Sequence, residues 1–312
     1  MNTKEIKKRI NSIKNTKKIT KAMEMIAAVK MRKAVERAVQ TREYATLANE
    51  LMNGIGSKNI THPLTRNKSV TDADGNILSD KHLLLIITSS RGLCGSYNSR
   101  VLKCVSRFIE ERKGENFEVI AIGNKAGYFA KKKNLQLVQL YDKLGDTPDY
   151  LEALALSKNI KDDFVNGKYD RVTVFFTNYI SGLSQEVKYR TILPVSPEIV
   201  SEMISEAGDD RTAEQYNQKQ FAFKPLRDYE FEPEKKQVLN FVLPMLVDIV
   251  LYQALLESSA SEHSSRMIAM KNASDSAGEM IDNLTLEYNK SRQAAITQEI
   301  SEIVGGAAAL QA

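Results

Sequence analysis

The two ends of the chain constrain the fold most, because both are long stretches without helix breakers. Residues 1 to about 57 contain no proline, and no glycine before Gly54, and a helical pattern returns from about residue 234. Apolar residues recur at steps of three and four in both stretches, at Ile6, Ile10, Ile13, Ile19, Met23 and Ile26, and at Ala277, Ile281, Leu284, Tyr288, Ile296, Ile300 and Ile303. Such steps place a narrow apolar stripe on a long helix. We expect the two helices to bury these stripes against each other as an antiparallel coiled coil that projects from the rest of the protein, with a kink or break at Pro244.

The middle of the chain has a different pattern, in which short apolar runs alternate with helical segments. The runs are 83–88, 117–122, 135–141 and 171–177, and the helical segments are 97–112, 124–133 and 149–165. This alternation predicts an open, mostly parallel α/β layer of the Rossmann-like kind. Val187 to Leu193 is expected to add an antiparallel edge strand, and residues 57–82 a polar loop or hairpin.

The predicted fold class is therefore α/β, with a long antiparallel coiled coil of N- and C-terminal helices flanking a central Rossmann-like domain. The predicted parts are a first helix at 1–57, a central domain at 58–233 with its core at about 83–195, and a last helix at 234–312. Gly54, Gly56 and Pro63 are expected to end the first helix.

Composition excludes several classes of protein. The longest apolar stretch, Phe241 to Leu256, is interrupted by Pro244, Asp248 and Gln253, so no membrane-spanning helix is expected. The N-terminus lacks the apolar core of a secretion signal. Two cysteines without metal-type spacing exclude a disulfide scaffold and a zinc finger.

Charge is uneven along the chain. Residues 1–42 carry 13 Lys/Arg against 3 Asp/Glu, a net +10, which leaves −5 on the remainder of a chain whose total is +5. Charge alone favours a solvated, lysine-rich helix face, and the alternative is a contact with an acidic or polyanionic partner.

Motifs for catalysis or cofactor binding are missing from the sequence. It contains no phosphate-binding G-x-x-x-x-G-K-[ST] loop, no G-x-G-x-x-G after the first strand, and no G-x-S-x-G or H-E-x-x-H. Arg91 to Gly95 is interpreted as a tight strand-to-helix turn, and Cys94 as a small buried hydrophobe. The three histidines lack ligand spacing. We therefore predict no catalytic, cofactor-binding or metal-binding residues.

One helical segment has an unusual composition. Twelve of the 22 residues from Ser258 to Glu279 are Ser, Ala or Gly. A helix with so few large side chains can let another element approach closely, or can present a smooth surface to a partner.

Four long motifs resemble one known family, the gamma subunit of F-type ATP synthase of the bacterial type. They are Ile13-Lys-Asn-Thr-Lys-Lys-Ile-Thr-Lys-Ala-Met-Glu-Met25 with Lys30-Met-Arg-Lys33, then Arg91-Gly-Leu-Cys-Gly95, then Ser261-Glu-His-Ser-Ser-Arg-Met-Ile-Ala-Met-Lys271, and Tyr288-Asn-Lys-Ser-Arg-Gln-Ala-Ala-Ile-Thr-Gln-Glu-Ile300 with Ile303-Val-Gly-Gly-Ala-Ala-Ala309. They occur in order at both ends and in the middle, so the resemblance covers nearly the whole chain.

The resemblance implies a rotating central stalk. It implies that the coiled coil lies inside a hexamer of alpha and beta subunits, and that the α/β domain contacts the epsilon subunit and the c ring. Ion flow would turn the ring and stalk, and ATP would be made or hydrolysed on the beta subunits rather than on this chain. The implied location is the cytoplasmic face of the bacterial plasma membrane, with membrane association only through the complex, no cofactor, and no nucleic acid.

The same resemblance implies partner-contact residues. Met23, Lys30 and Arg32 would lie near the collar of the hexamer, with Glu262 and Arg266 on the neighbouring helix. Arg292, Gln293 and Thr297 match a polar group that hydrogen-bonds a beta subunit, and the apolar tip, Ile303 to Leu310, would occupy the apolar sleeve of the hexamer. The alternative for each residue is an ordinary coiled-coil position.

Two features depart from the compact family pattern, and two other functions remain open. Residues 57–82 and 196–232 are longer than expected, and Pro244 lies where helix is expected.

A nucleic-acid-binding adaptor could use the basic arm, although the first aromatic residue is Tyr44. A stand-alone α/β enzyme would need a nucleotide-shaped pocket beside Arg91 to Gly95.

Overall fold

The computed structural model describes residues 3–55, 62–65, 70–71, 77–79, 81–112, 114–195 and 235–311. The chain forms two compact units, the first made of residues 1–27 and 266–312 and the second of residues 28–265. Two long helices, α1 (Thr3–Ile55) and the last helix, α5 (Lys235–Gln311), each contribute to both units. The three-part division of the sequence stays a prediction.

The first unit consists of the beginning of α1 and the end of α5. Its buried side chains are Ile6, Ile10, Thr20 and Ala27 on α1, and Arg266, Met270, Ser274 and Ala277 on α5, and Ile13, Ile281, Leu284 and Tyr288 are among the half-buried ones. In both helices these positions recur at steps of three, four or seven, which is the pattern of a coiled-coil seam. The predicted stripe is confirmed for Ile6 to Ile13 and for Ala277 to Tyr288.

Two residues that were expected in the stripe of α1 lie outside it. Ile19 and Ile26 are 61% and 59% exposed. From Ile13 the seam advances by seven residues to Thr20, whereas Ile19 comes six residues after Ile13 and points about 120° away from the seam. The apolar residues therefore change face after Ile13, and small or polar side chains continue the seam.

The two helices run antiparallel, as predicted. In the first unit, the Lys17 ammonium lies where a side chain on Gly278 would begin, 2.8 Å from the position of a Cβ. In the second unit, Ala34 and Val35 of α1 cluster with Ala260 of α5. Each unit thus pairs an earlier or later segment of α1 with a segment of α5, as the predicted coiled coil requires.

The end of α5 was predicted to continue the seam with α1, and it does not. Counting 14 residues along each helix from the Lys17–Gly278 contact brings Thr3, where α1 begins, level with Arg292. The described part of α1 ends at that level. Ile296, Ile300 and Ile303 are accordingly 47%, 57% and 71% exposed, so their expected burial against α1 is wrong.

The second unit contains a five-stranded sheet and three shorter helices. Its strands and helices are β3 (Lys81–Ile87), α2 (Tyr97–Glu111), β4 (Asn116–Ile122), α3 (Asn124–Lys132), β5 (Gln136–Tyr141), α4 (Tyr150–Val165), β6 (Arg171–Tyr179) and β7 (Gln185–Leu193). The order is β5-β4-β3-β6-β7, parallel except for β7, which pairs antiparallel with β6. A separate hairpin pairs β1 (Val70–Thr71) with β2 (Ile77–Ser79). The predicted mostly parallel layer and its antiparallel edge strand are confirmed. Most of the predicted loop or hairpin at 57–82, with its expected turn, lies outside the described residues.

Both faces of this sheet are covered by apolar residues. On one face α2 and α3 pack on alternate residues of β3 and β4, including Leu84 and Ile86. On the other face α4 and the second-unit part of α5 pack on the intervening residues, including Leu83, Leu85 and Ile87. Burial of successive residues on opposite faces explains why β3 is a continuous apolar run.

Strand β5, although it is predicted from the same kind of apolar run as the other strands, is less covered than they are. Val138 and Leu140 are 39% and 43% exposed, because β5 is the last strand in the sheet order. Leu140 packs against Gly127 of α3, where a Cβ would come within 3.2 Å of its Cδ1. Composition alone does not separate a central strand from an edge strand.

Pro244 does not break α5, which is continuous from Lys235 to Gln311. The Lys161 ammonium donates a hydrogen bond to the Pro244 carbonyl at 3.1 Å. By length and composition a stretch within Asn240–Val304 could cross a membrane, and 61% of its most apolar window is buried inside the chain. Seven residues between Leu243 and Leu255 belong to the main core, which accounts for the apolar character of this stretch.

We predict that Tyr169 makes stability fall at alkaline pH. Burial, and then the hydrogen bond that its hydroxyl donates to Glu118 at 2.8 Å, raises the pKa of Tyr169 to about 12. The unfolded chain loses this proton near pH 10, so the contribution is complete below pH 10 and is lost as pH rises from about 10 to about 12. The loss is roughly 2–3 kcal/mol. Tyr169→Phe should remove this part of the pH dependence in denaturant titrations, and Tyr128→Phe, at an exposed site, should not.

Candidate functional site

The carboxyl end of the sheet is where a ligand site is expected in this fold. In open α/β sheets, ligands bind outside the carboxyl ends of the strands, at the point where the strand order reverses. Here the chain proceeds from β3 outward to β5 and then returns to β6 on the other side of β3. The expected ligand-binding crevice therefore lies beyond Ile87 of β3 and the last residues of β6.

The serine-rich face of α5 occupies the carboxyl end of β6. The Thr177 amide donates to Ser258 Oγ at 3.0 Å, and Ser261 Oγ donates to the Thr177 carbonyl at 3.1 Å. One turn later, Ser264 Oγ donates to the Gly182 carbonyl at 2.6 Å. Short hydroxyl side chains let the helix approach closely and satisfy backbone groups that the sheet leaves unpaired. The close-approach interpretation of this segment thus accounts for its serines.

The turn from Arg91 to Gly95 closes the end of β3. Leu93 and Gly95 adopt left-handed conformations, with φ of 63° and 57°. The Cys94 thiol is buried and accepts a hydrogen bond from Asn98 Nδ2 at 3.1 Å, and the Asn98 carbonyl oxygen accepts from the Ser89 amide at 2.9 Å. The turn is held by its own side chains, in agreement with its interpretation as a tight strand-to-helix turn.

The N-terminus of α3 is also satisfied by the chain itself. The Asn124 amide donates to Ser90 Oγ at 3.3 Å, the Lys125 amide to the Ser89 carbonyl at 3.2 Å, and the Ala126 amide to Thr88 Oγ1 at 2.9 Å. Free amides at such a helix start are what bind phosphate in nucleotide-binding folds. Here hydroxyl and carbonyl groups at the end of β3 already use all three.

A polar cluster lies beside this edge, around Asp146 in the turn after β5. Lys30 Nζ donates to Asp146 Oδ2 at 2.6 Å, and His263 Nε2 lies 3.1 Å from the Asp146 carbonyl and 3.5 Å from Oδ1. The Ser259 hydroxyl donates to the same carbonyl at 3.1 Å. Polar atoms of Asp146, Glu262 and His263 lie within 4.8 Å of one another. The cluster therefore joins α1, α5 and the β5–α4 turn.

The other two histidines have separate environments. Burial lowers the pKa of His62. His82 is buried at the start of β3, with Nδ1 2.9 Å from Glu115 Oε2 and Nε2 2.8 Å from Thr173 Oγ1. Burial raises the pKa of Glu115, and the charges of Arg171 and then Arg112 oppose that rise.

The structure distributes the predicted partner-contact residues along the two helices and gives them different environments. Four of them are exposed: Arg32, Arg292, Gln293 and Thr297. Met23 is half-buried. The Lys30 side chain is 38% exposed and binds Asp146. Glu262 and Arg266 are only 2% and 9% exposed. The role of all eight residues as partner contacts stays a prediction.

Sequence reasoning missed Asp146 and the serine contacts of α5. The density of serines in Ser258 to Ser265 was a signal for close packing, but nothing in the local sequence pairs that segment with Thr177 or Gly182. Asp146 occurs alone in a polar turn, and its partners are 116 and 117 residues away.

Comparisons with known proteins agree on one family. A family model described as ATP synthase matches residues 2–310. A protein of Halothermothrix orenii named ATP synthase gamma chain is 39% identical over 312 residues, covering 99% of this chain and 99% of that protein.

Solved structures give the same result for the fold. A chain from the central stalk and c ring of the Tetrahymena thermophila mitochondrial ATP synthase matches with a TM-score of 0.54 and 26% identity, over 82% of this chain and 99% of that chain. A chain from the Euglena gracilis mitochondrial ATP synthase matches with a TM-score of 0.63 over 99% of this chain and 94% of that chain. Its 18% identity supports the fold alone.

Proposed function

Since the chain belongs to the gamma-chain family of ATP synthases, we propose that it is the central-stalk rotor subunit of such an enzyme. It couples ion-driven rotation of a c ring to ATP synthesis or hydrolysis on beta subunits. The observation that carries this proposal is the 39% identity to a gamma chain over 99% of both proteins. The long α1–α5 helix pair suits a shaft, because twisting it strains many backbone hydrogen bonds together.

We propose that the chain itself is not catalytic. Within the described ranges, the crevice where a doubly wound sheet binds its ligand is filled by the chain's own groups. Ser258 and Ser261 bind the backbone of Thr177, and Ser89 and Ser90 bind the first amides of α3. These contacts argue against the alternative of a nucleotide-binding enzyme and favour chemistry on partner chains.

Its proposed partners are the alpha and beta subunits, the epsilon subunit and the c ring. The partner-contact proposal is strongest for Arg292, Gln293 and Thr297, because their side chains are exposed where α5 extends past the start of α1. The Thr297 hydroxyl bonds the Gln293 carbonyl of its own helix at 3.0 Å. Arg292 and Gln293 are therefore the better candidates for direct hydrogen bonds to a beta subunit.

The proposed location is the cytoplasmic face of a bacterial plasma membrane, reached through the complex. Burial of the apolar part of α5 in the core of the second unit supports peripheral attachment over insertion. Nucleic-acid binding by the basic arm is not part of the proposal.

Co-assembly tests the proposed function. Purified alpha and beta subunits should capture this chain at near-physiological salt, and rotation-dependent ATP hydrolysis should appear only in the complex. Arg292→Ala combined with Gln293→Ala should slow hydrolysis by the complex about tenfold, as expected for the loss of charge-assisted hydrogen bonds. Lys290→Ala, an exposed cation on the same part of the helix, is the control. Failure of the wild-type chain to be captured would refute the proposal.

A further inference from the structure

Asp146 is the residue at which three elements of the second unit meet. Its carboxylate accepts a hydrogen bond from Lys30 of α1, and its carbonyl accepts from Ser259 and His263 of α5. Asp146 itself lies in the turn between β5 and α4, where its amide donates to the Lys143 carbonyl at 3.1 Å. A single residue of the α/β domain therefore binds both long helices.

The two helices are attached to the domain in different ways. The second-unit part of α5 belongs to the main core, where Leu243, Leu251 and Leu255 are fully buried. The described part of α1 in this unit has a smaller apolar attachment, in which Ala34 and Val35 pack with Tyr179 and Ala260. Packing of small apolar side chains fixes the distance of a helix from the domain better than it fixes the angle of the helix. A directed polar contact therefore matters more for the attachment of α1 than for that of α5.

The geometry around Asp146 presets its carboxylate for Lys30. Two hydrogen bonds from α5 hold its carbonyl, and His263 Nε2 lies 3.5 Å from Oδ1, which leaves Oδ2 toward Lys30. Glu262 places a second carboxylate within 4.8 Å of the Asp146 oxygen. The Lys30 ammonium brings a compensating positive charge from α1 to this cluster.

We propose that Asp146 is a positioning residue of the rotor, which fixes α1 on the α/β domain so that turning force passes between the domain and the α1 helix. This inference rests on the proposed function. Its action goes through Lys30, whose ammonium lies 2.6 Å from the Asp146 carboxylate and gives α1 a charged, directed bond to the domain. Removal of the carboxylate lets α1 change its angle under load while the packed core stays intact.

The test measures coupling in the assembled enzyme. Complexes with wild-type chain, Asp146→Ala, or Lys30→Glu combined with Asp146→Lys are reconstituted into liposomes. ATP-driven ion pumping is divided by ATP hydrolysed in the same sample. We expect Asp146→Ala to lower this ratio about threefold, and the charge-exchanged pair to restore at least half of the loss. Lys21→Gln is the control, because Lys21 pairs with Glu24 at 3.0 Å within α1 itself.

Each outcome bears on a different proposal. A wild-type complex that assembles and pumps, with an Asp146→Ala complex that pumps equally well per ATP, would overturn the positioning role and leave the rotor function in place. A wild-type chain that does not assemble would overturn the rotor function itself. If Asp146→Ala fails to assemble, the charge-exchanged variant decides: recovery of assembly and pumping supports the role, and absence of recovery refutes it.

Discussion

Replacing Gly123 by alanine is expected to lower the free energy of unfolding by roughly 3–5 kcal/mol, from backbone strain and steric overlap together. Gly123 precedes α3 with φ of 91°, a conformation that side chains rarely allow. A Cβ there would lie 2.1 Å from the Thr88 carbonyl oxygen and 2.7 Å from its carbon. The overlap is with backbone at the end of the central strand, so no side-chain rotation can relieve it.

Gly92→Ala is the matched control for this prediction. Gly92 lies at the same edge of the sheet, and a Cβ there meets no heavy atom within 4 Å. Its effect should stay within about 0.5 kcal/mol. Urea unfolding followed by circular dichroism measures both variants. Equal stability of Gly123→Ala and Gly92→Ala would show that the close approach of α3 to β3 is not required.

Replacing Asp248 by alanine is the second change with a large expected effect, about 3–5 kcal/mol. Asp248 and Lys161 form an ion pair at 2.5 Å with side chains only 10% and 13% exposed. Alanine leaves the Lys161 ammonium without its charged partner in a poorly hydrated place between α4 and α5. The remaining hydrogen bond to the Pro244 carbonyl does not neutralise it.

An exposed pair of the same chemistry separates burial from charge. Asp163 and Lys168 lie 2.9 Å apart with side chains 40% and 47% exposed. Asp163→Ala should cost about 0–1 kcal/mol. The double change Lys161→Met with Asp248→Leu should recover most of the stability lost in Asp248→Ala, because it removes both charges. A single Asp248→Ala variant as stable as Asp163→Ala would contradict the buried-pair argument.

The strands and helices of the α/β domain could be predicted from sequence because their signals are local. The run Leu83 to Thr88 and the helical stretch from Tyr97 carry their own periodicity and end at turn residues. The seam of α1 was predicted only in part. Thr20 continues it, whereas hydropathy favours Ile19 and Ile26, and Gly278 on the other helix makes room for Lys17.

The site was predicted less completely, since it depends on contacts between distant residues. The missing motifs gave the expectation of no catalytic residues, but they did not show what fills the crevice. What fills the crevice is known only from the structure, which places Ser258 and Ser261 beside Thr177. The cluster at Asp146 joins residues that are more than 100 positions apart, and no local pattern marks such a meeting point.

The first unit has a consequence for biosynthesis, since it joins residues 1–27 with residues 266–312, which are synthesised much later. A ribosome delivers the N-terminal segment first and its packing partner last. Ile6 and Ile10, which are nearly inaccessible in the folded unit, must therefore stay in water or on a chaperone until residues 266–312 have been synthesised. Premature termination anywhere before residue 266 would release a polypeptide whose leading helix has no seam to close, which makes such fragments natural targets for proteolysis.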